Sequence, residues 1–317
     1  MIDRRQFQLI AAALMLGSGI SARPARADSK TFRVAFQKGA GNLIFLKERG
    51  ILERKLAPIG WSVTWTEFQA GPQLLESLNV GATDFGLVGE APPIFAQAAG
   101  ADIVYAGYEP ASPKNEAIIV PKDSPIRTVA DLKGKRVALN KGSNVNYLLV
   151  RALEANGLTY HDIVPAYLAP ADARAAFERG SVDAWVIWDP YYAAAEIALN
   201  ARLVVDGTGL APNVSFYMAS RAIAEQNPQV LKAVLGAVDE IDGWIRDNRH
   251  QYAVELAPKV GLSADVIERS VNRDEIGARP IDAATLEGQQ KIADAFAELA
   301  LIPERLKVTD AAWRVGQ

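Results

Sequence analysis

The sequence predicts an α/β protein of two similar lobes, each a mostly parallel sheet flanked by helices, joined by two hinge crossings around a cleft. Three observations predict it. The chain repeats itself: Arg33-Val34-Ala35-Phe36-Gln37-Lys38-Gly39-Ala40 returns as Arg136-Val137-Ala138-Leu139-Asn140-Lys141-Gly142-Ser143. The stretch from Ala70 to Asp84 is likewise answered by Ala169 to Asp183, and an acid follows in matching register, Glu90 or Asp189. A repeat of about a hundred residues is domain-sized, whereas solenoid units run to roughly 20–50. Within each copy, short apolar runs alternate with helical patterns, the signature of parallel sheets covered on both faces. The length of 317 residues exceeds the roughly 100–200 of one domain.

Taken in order, the first segment stands outside the fold. Arg4-Arg5 precede an apolar stretch from Leu9 to Ile20, and Ala25-Arg26-Ala27 supplies a small-x-small cleavage pattern. Residues 1–27 therefore read as a cleaved export signal of the twin-arginine or general secretory type. The apolar stretch is shorter than the ~18 to 20 residues of a spanning helix. Thr31 to Phe36 reads as a buried strand, and Asn42 to Leu56 as a helix with Leu43, Phe45 and Leu46 at helical spacing. Trp61 to Glu67 alternates apolar and polar, a half-buried strand with Trp61 and Trp65 as core. Gln73 to Leu78 forms a helix stopped by Gly81, Phe85 to Val88 a third strand, and Pro92-Pro93 opens a helix where a missing N–H costs nothing.

The proline-rich Pro110 to Glu116 and the extended Ala117 to Val120 make the first crossing. The same order of elements recurs from Arg136 to Asn200, and a second crossing is expected between Asn213 and Met218. From Pro228 to Ala300 the pattern is helical, and these helices are expected to return onto the first lobe. The boundaries so derived are 28–113 plus 215–317 for one lobe and 114–214 for the other. Asp84 and Asp183 each follow a helix-ending glycine and precede a strand, as turn acids.

Composition excludes several chemistries. With no cysteine, the chain has no disulfides, thiolate nucleophiles or cysteine metal sites. Its two histidines, His161 and His250, stand in polar surroundings, which leaves acid–base catalysis almost no candidates. A net charge of −3 with scattered positive residues offers no footprint for nucleic acid. No glycine-lysine-serine/threonine follows a spaced glycine, so nucleotide hydrolysis is unsupported.

Ligands of open parallel sheets bind beyond the carboxyl ends of the strands. Each copy offers three such loops: Gln37 to Gly41, Gln69 to Pro72 and Gly89 to Pro92, then Asn140 to Asn144, Ala169 to Asp172 and Trp188 to Tyr191. Every one opens a helix, whose free N–H groups and positive dipole end attract anions. Gly39 and Gly142 permit close approach or positive φ, as a ligand loop or an ordinary turn requires, and Ser143 adds a hydroxyl donor at the helix cap. Trp188-Asp189-Pro190-Tyr191-Tyr192 gathers aromatics at a strand end, where they seal a core edge or wall a pocket.

The strings Phe36-Gln37-Lys38-Gly39, Ala70-Gly71-Pro72-Gln73, Pro92-Pro93-Ile94-Phe95-Ala96-Gln97, Val129-Ala130-Asp131-Leu132-Lys133-Gly134 and Trp188-Asp189-Pro190-Tyr191-Tyr192 resemble the sulfonate, taurine and nitrate binding proteins of ATP-driven importers, most closely the aliphatic-sulfonate binders. The resemblance implies a type II periplasmic-binding-protein fold that closes over its ligand and then docks on an ABC permease. It implies a monomer in the periplasm that is no enzyme and carries no cofactor or metal. Ligand contacts are implied at Gln37, Lys38 and Gly39, at Gly89, Glu90 and Ala91, at Gly142, Ser143 and Asn144, and at Trp188 and Asp189. The sequence departs from the family pattern at Glu90-Ala91, where aspartate and isoleucine are expected, and at Asn144, where a second serine is expected. Glu90 either caps its helix or reaches into the cleft. Taurine, nitrate and sulfate esters are alternative ligands, and a pyrimidine-precursor enzyme on the same fold is a further alternative.

Overall fold

The computed structural model describes residues 30–313, so the export signal expected at 1–27 lies outside the described residues. The first lobe runs β1 (Lys30–Gln37), α1 (Gly41–Glu48), α2 (Ile51–Leu56), β2 (Trp61–Phe68), α3 (Gly71–Asn79), β3 (Phe85–Gly89), α4 (Ala91–Ala98) and β4 (Ile103–Glu109). The second runs β5 (Glu116–Val120), β6 (Arg136–Leu139), α5 (Asn144–Ala155), β7 (Val164–Tyr167), α6 (Pro170–Glu178), β8 (Ala184–Trp188), α7 (Tyr191–Leu199) and β9 (Arg202–Asp206). The chain then returns through β10 (Ser215–Ser220), α8 (Arg221–Gln226), α9 (Pro228–Asp247), α10 (Arg249–Val260), α11 (Ala264–Val271) and α12 (Ala283–Glu298).

The two sheets have equivalent orders, β2-β1-β3-β10-β4 and β7-β6-β8-β5-β9. In each, the strand beside an edge strand is antiparallel to both neighbours and belongs to a crossing segment: β10 in the first, β5 in the second. The crossings β4 to β5 and β9 to β10 are thus built into the sheets they join. The repeated acids pin equivalent corners. Asp84 Oδ2 accepts from the Arg33 backbone N–H at 2.8 Å, and Asp183 Oδ2 from that of Arg136 at 2.7 Å.

Strand periodicity sorts the core. Phe32, Val34 and Phe36 of β1 face the layer containing α1, α9 and α10, while Ala35 faces the layer of α3 and α4. In the second lobe Val137 and Leu139 face one layer and Ala138 the other. Two expectations need correction. The helix expected from Asn42 to Leu56 is two helices, because Gly50 takes φ +58°, where a residue without Cβ ends a helix without strain. Trp65 is half-buried, with its indole N–H donating to Glu53 at 2.8 Å, rather than fully core. The C-terminal helices do pack on the first lobe, but α11 also reaches across, with Val266 against Ala193 and Ala194 of α7. No described helix is long and apolar enough to cross a membrane.

Candidate functional site

Five of the six helix-opening loops meet in a cavity of about 140 Å³ between the lobes, lined by Gln37, Gly39, Gly71, Gly89, Pro92, Ser143, Asn144 and Trp188 among others. The loop at 169–172 does not reach it. The repeat explains the convergence: β1 and β6 are equivalent strands, and each delivers the start of a helix, α1 or α5, to the same space. The backbone N–H groups of Gly41 and Asn42, opening α1, have no acceptor among the described residues, nor do those of Asn144 and Val145, opening α5. Two helix dipoles from opposite lobes therefore end on one cavity.

Other helix starts contribute less. Pro92 and Pro93 remove two of the N–H groups at the entrance of α4. At the start of α7 the Ala193 N–H is already occupied, donating to Asp189 Oδ1 at 2.8 Å.

Gly39 and Gly89 mark where the lobes touch. A Cβ on Gly39 would lie 3.2 Å from the Asp189 carbonyl oxygen, and one on Gly89 would lie 3.1 Å from Asn144 Cβ and Cγ. Their missing side chains let the lobes close on each other; the expectation for Gly39 was close approach to a ligand. Gly142 has φ +75°.

Several expected ligand donors are engaged elsewhere. The Gly142 N–H donates to Asn146 Oδ1 at 3.1 Å, and the Ser143 hydroxyl donates to the Asn140 carbonyl at 2.7 Å, so neither is spare. Gln37 lines the cavity with its Nε2 donating to the Leu87 carbonyl at 3.0 Å. Lys38 is half-buried and Ala91 fully buried, and neither lines the cavity.

Glu90 neither caps α4 nor reaches the cavity. It is fully buried and accepts from the Val214 N–H at 2.9 Å, because the carboxyl needs the donor that β10 leaves at its start. The Asp189 side chain is also fully buried, directed at Arg273 at 3.1 Å. Burial pushes the Asp189 carboxyl up to about 6, and the Arg273 charge pulls it back. Arg273 also pairs with Glu196 and lies over the Tyr192 ring at 3.9 Å, clasping α7 from the end of α11. Neither Arg273 nor Glu116 figured among the residues expected from sequence.

The far wall of the cavity is acidic. Glu109 accepts from the Tyr217 hydroxyl and from the Gly277 N–H at 2.7 Å; Asp242 accepts from Asn42 Nδ2 and the Ala278 N–H, both at 3.0 Å. Burial raises the Glu109 carboxyl well above its ordinary value, and the neighbouring Asp242 adds to it. Asp274, held by Asn115, is pushed by burial up to about 8. None of the described lining residues is Lys, Arg or His. An anion here can be held only by neutral donors and helix ends. A larger open groove of about 870 Å³, beside Leu235, Leu286 and Trp313, contains none of the expected residues.

Residues 60–247 match the family model described as NMT1/THI5 like. The chain is similar to the alkanesulfonate-binding protein SsuA from Xanthomonas axonopodis pv. citri bound to MOPS, with a TM-score of 0.87 and 43% identity over 90% of this chain and 98% of that one. It is also similar to the periplasmic aliphatic sulphonate binding protein SsuA from Escherichia coli, with a TM-score of 0.82 and 45% identity over 91% of this chain and 93% of that one. A more distant relative is the taurine-binding periplasmic protein of Escherichia coli (strain K12), 28% identical over 63% of this chain and 65% of its own length.

Proposed function

Since the chain belongs to the NMT1/THI5-like family and to its aliphatic-sulfonate-binding members, we propose that it captures aliphatic sulfonates in the periplasm for an ABC importer. It acts as a binding protein, not an enzyme. The lobes close over the ligand, and the closed form docks on the membrane permease as a monomer.

One observation carries the reading: among the described residues, the helix starts of α1 and α5, one from each lobe, present unpaired N–H groups to a single cavity lined by no cationic side chain. A sulfonate is a permanent monoanion with three acceptor oxygens. It can take N–H groups from both lobes at once, so that binding is itself the force that holds them closed. The N–H groups of Gly41, Asn42, Asn144 and Val145 are the proposed head-group donors, with Gln37, Gly39, Gly89 and Trp188 as walls. Asp274 in the far wall, whose buried carboxyl a nearby ammonium would draw into its ionised form, favours as a second reading sulfonates that carry an ammonium, taurine among them.

Thermal-shift screening of the mature protein against propanesulfonate, taurine, nitrate and sulfate tests this. A ligand at a hundred times its Kd stabilises by about 2.7 kcal/mol. A shift with nitrate or sulfate and none with any sulfonate overturns it.

A further inference from the structure

Behind the start of α5 lies a pair of glutamates that the sulfonate-binding reading does not use. Glu90 comes from the first lobe, between β3 and α4, and Glu116 opens β5 in the second; both are 0% exposed. Each has one oxygen satisfied. Glu90 Oε2 accepts from the Val214 N–H at 2.9 Å, and Glu116 Oε2 accepts from Asn144 Nδ2 at 2.6 Å. Asn144 Nδ2 also donates to Asn213 Oδ1 at 2.9 Å, which links the two carboxyls through the start of β10. Each also has one oxygen, Oε1, buried without a partner among the described residues.

An ionised carboxylate can only accept, so two ionised glutamates would leave both buried oxygens unsatisfied. One proton removes one of the two buried charges and makes one of the orphaned oxygens a donor within the network that Asn144, Asn213 and Val214 span. We infer that Glu90 and Glu116 share a single buried proton, and that binding a sulfonate at the helix starts is linked to retaining it. This rests on the sulfonate reading.

The surroundings offer nothing else to neutralise the pair. No Lys, Arg or His among the described residues hydrogen-bonds or ion-pairs with either glutamate. Tyr147 of α5 faces both, its phenol pushed up chiefly by burial, with Arg151 and Glu154 beyond it paired to each other at 2.6 Å. Tyr105 of β4 shares Gln289 with the Glu90 backbone, and its phenol is likewise raised by burial. Both tyrosines stay neutral. Burial pushes Glu90 up to about 7, and burial together with the Glu90 charge pushes Glu116 well above its ordinary value.

The linkage has a definite sign. Gly89 and Asn144 line the cavity, next in sequence to Glu90 and hydrogen-bonded to Glu116 respectively. A bound anion therefore raises the proton affinity of the pair. Where free protein has lost the proton and the complex has kept it, affinity falls by up to tenfold per pH unit as pH rises. Below that window both forms hold the proton, and affinity is flat.

Titration calorimetry with propanesulfonate from about pH 6 to about pH 8.5, in buffers that are not themselves sulfonates, reads this directly. Wild type is expected to weaken by at least tenfold over the range and to take up close to one proton per ligand, seen as a dependence on buffer ionisation enthalpy. Glu116→Gln keeps an acceptor for Asn144 and removes the second buried charge beside Glu90, so its pH dependence should move to lower pH. A carboxylic-acid stretch in the infrared difference spectrum between wild type and Glu116→Gln, without ligand, reports the proton independently. A flat wild-type profile with no such stretch overturns the inference while leaving sulfonate binding intact. An unchanged pH profile in Glu116→Gln places the proton elsewhere and overturns it too. No heat with any sulfonate overturns the functional reading itself, and the infrared stretch then decides the shared proton alone.

Discussion

Replacing Arg273 by methionine removes the charge that the structure places between two carboxylates of the opposite lobe. The Arg273 side chain is 17% exposed and that of Asp189 0%, so this is a buried pair. Exposed pairs such as Lys291–Glu287, with both side chains more than 70% exposed, contribute about 0–1 kcal/mol. Breaking a buried pair on one side costs about 3–5 kcal/mol, because the remaining charge stays uncompensated. Methionine keeps an unbranched stem of similar length and loses only the guanidinium, which pairs with the carboxylates and lies over Tyr192, so the loss is chiefly electrostatic. Glu196 keeps Arg269 at 3.6 Å, which leaves Asp189 as the stranded group. Its carboxyl is already at about 6 with arginine present, and it rises further without it. The destabilisation is then largest at neutral and alkaline pH and shrinks as pH falls through the Asp189 value, because a protonated Asp189 buries no charge. Urea unfolding at about pH 7.5 and about pH 5 measures both, as a shift of midpoint at constant slope. A neutral-pH loss under about 1 kcal/mol, or a loss that grows on acidification, would refute the reasoning.

Three further outcomes follow from the same geometry. Gly89→Ala should leave the thermal midpoint of free protein nearly unchanged but weaken sulfonate binding about tenfold or more, since a methyl 3.1 Å from Asn144 opposes closure by about 1–3 kcal/mol; calorimetry finding equal affinity would sink this. Asp84→Ala should destabilise more than Asp183→Ala, by about 1.5–3 kcal/mol against roughly half that in thermal unfolding, because Asp84 is 6% exposed and also binds the Arg33 guanidinium at 2.7 Å. Equal losses would mean that the two corners carry equal load. Ser143→Ala should lower stability by about 1 kcal/mol and leave sulfonate affinity within about twofold, because its hydroxyl is committed to the Asn140 carbonyl; a large fall in affinity would show that the hydroxyl swings to the ligand.

The fold was legible because its information is local and doubled. Arg33 to Ala40 and Arg136 to Ser143 each carry an apolar run, a lysine-glycine turn and a helix start, and the same local physics read twice gives two equivalent sheets. The crossings were legible for a related reason: Ala117 to Val120 is apolar at every position, as a strand buried on both faces requires, and all four residues are 0% exposed. The break at Gly50 was lost because one glycine within a helical pattern does not announce its φ, and the pattern on either side continues in register.

The site was legible only as far as its backbone. Six loops were expected from strand ends and five converge, since helix starts follow from strand–helix alternation and need no knowledge of side-chain partners. What failed was the direction of the polar side chains. Glu90 and Asp189 stand at the same place in the repeat; both were read as ligand contacts, and Glu90 alternatively as a helix cap. In the folded chain Asp189 does line the cavity and accept from the Ala193 N–H, but each side chain is also met by a donor more than eighty positions away, Val214 for one and Arg273 for the other. Neither donor belongs to the repeat: Val214 precedes the returning strand and Arg273 follows α11 within the helical return. Buried polar groups must find partners, and when the partner lies on a segment outside the repeated unit, no pattern within the repeat can name it. The same cause hid Glu116, whose burial follows from a crossing strand and whose orphaned oxygen becomes meaningful only once Glu90 is placed in the same buried network.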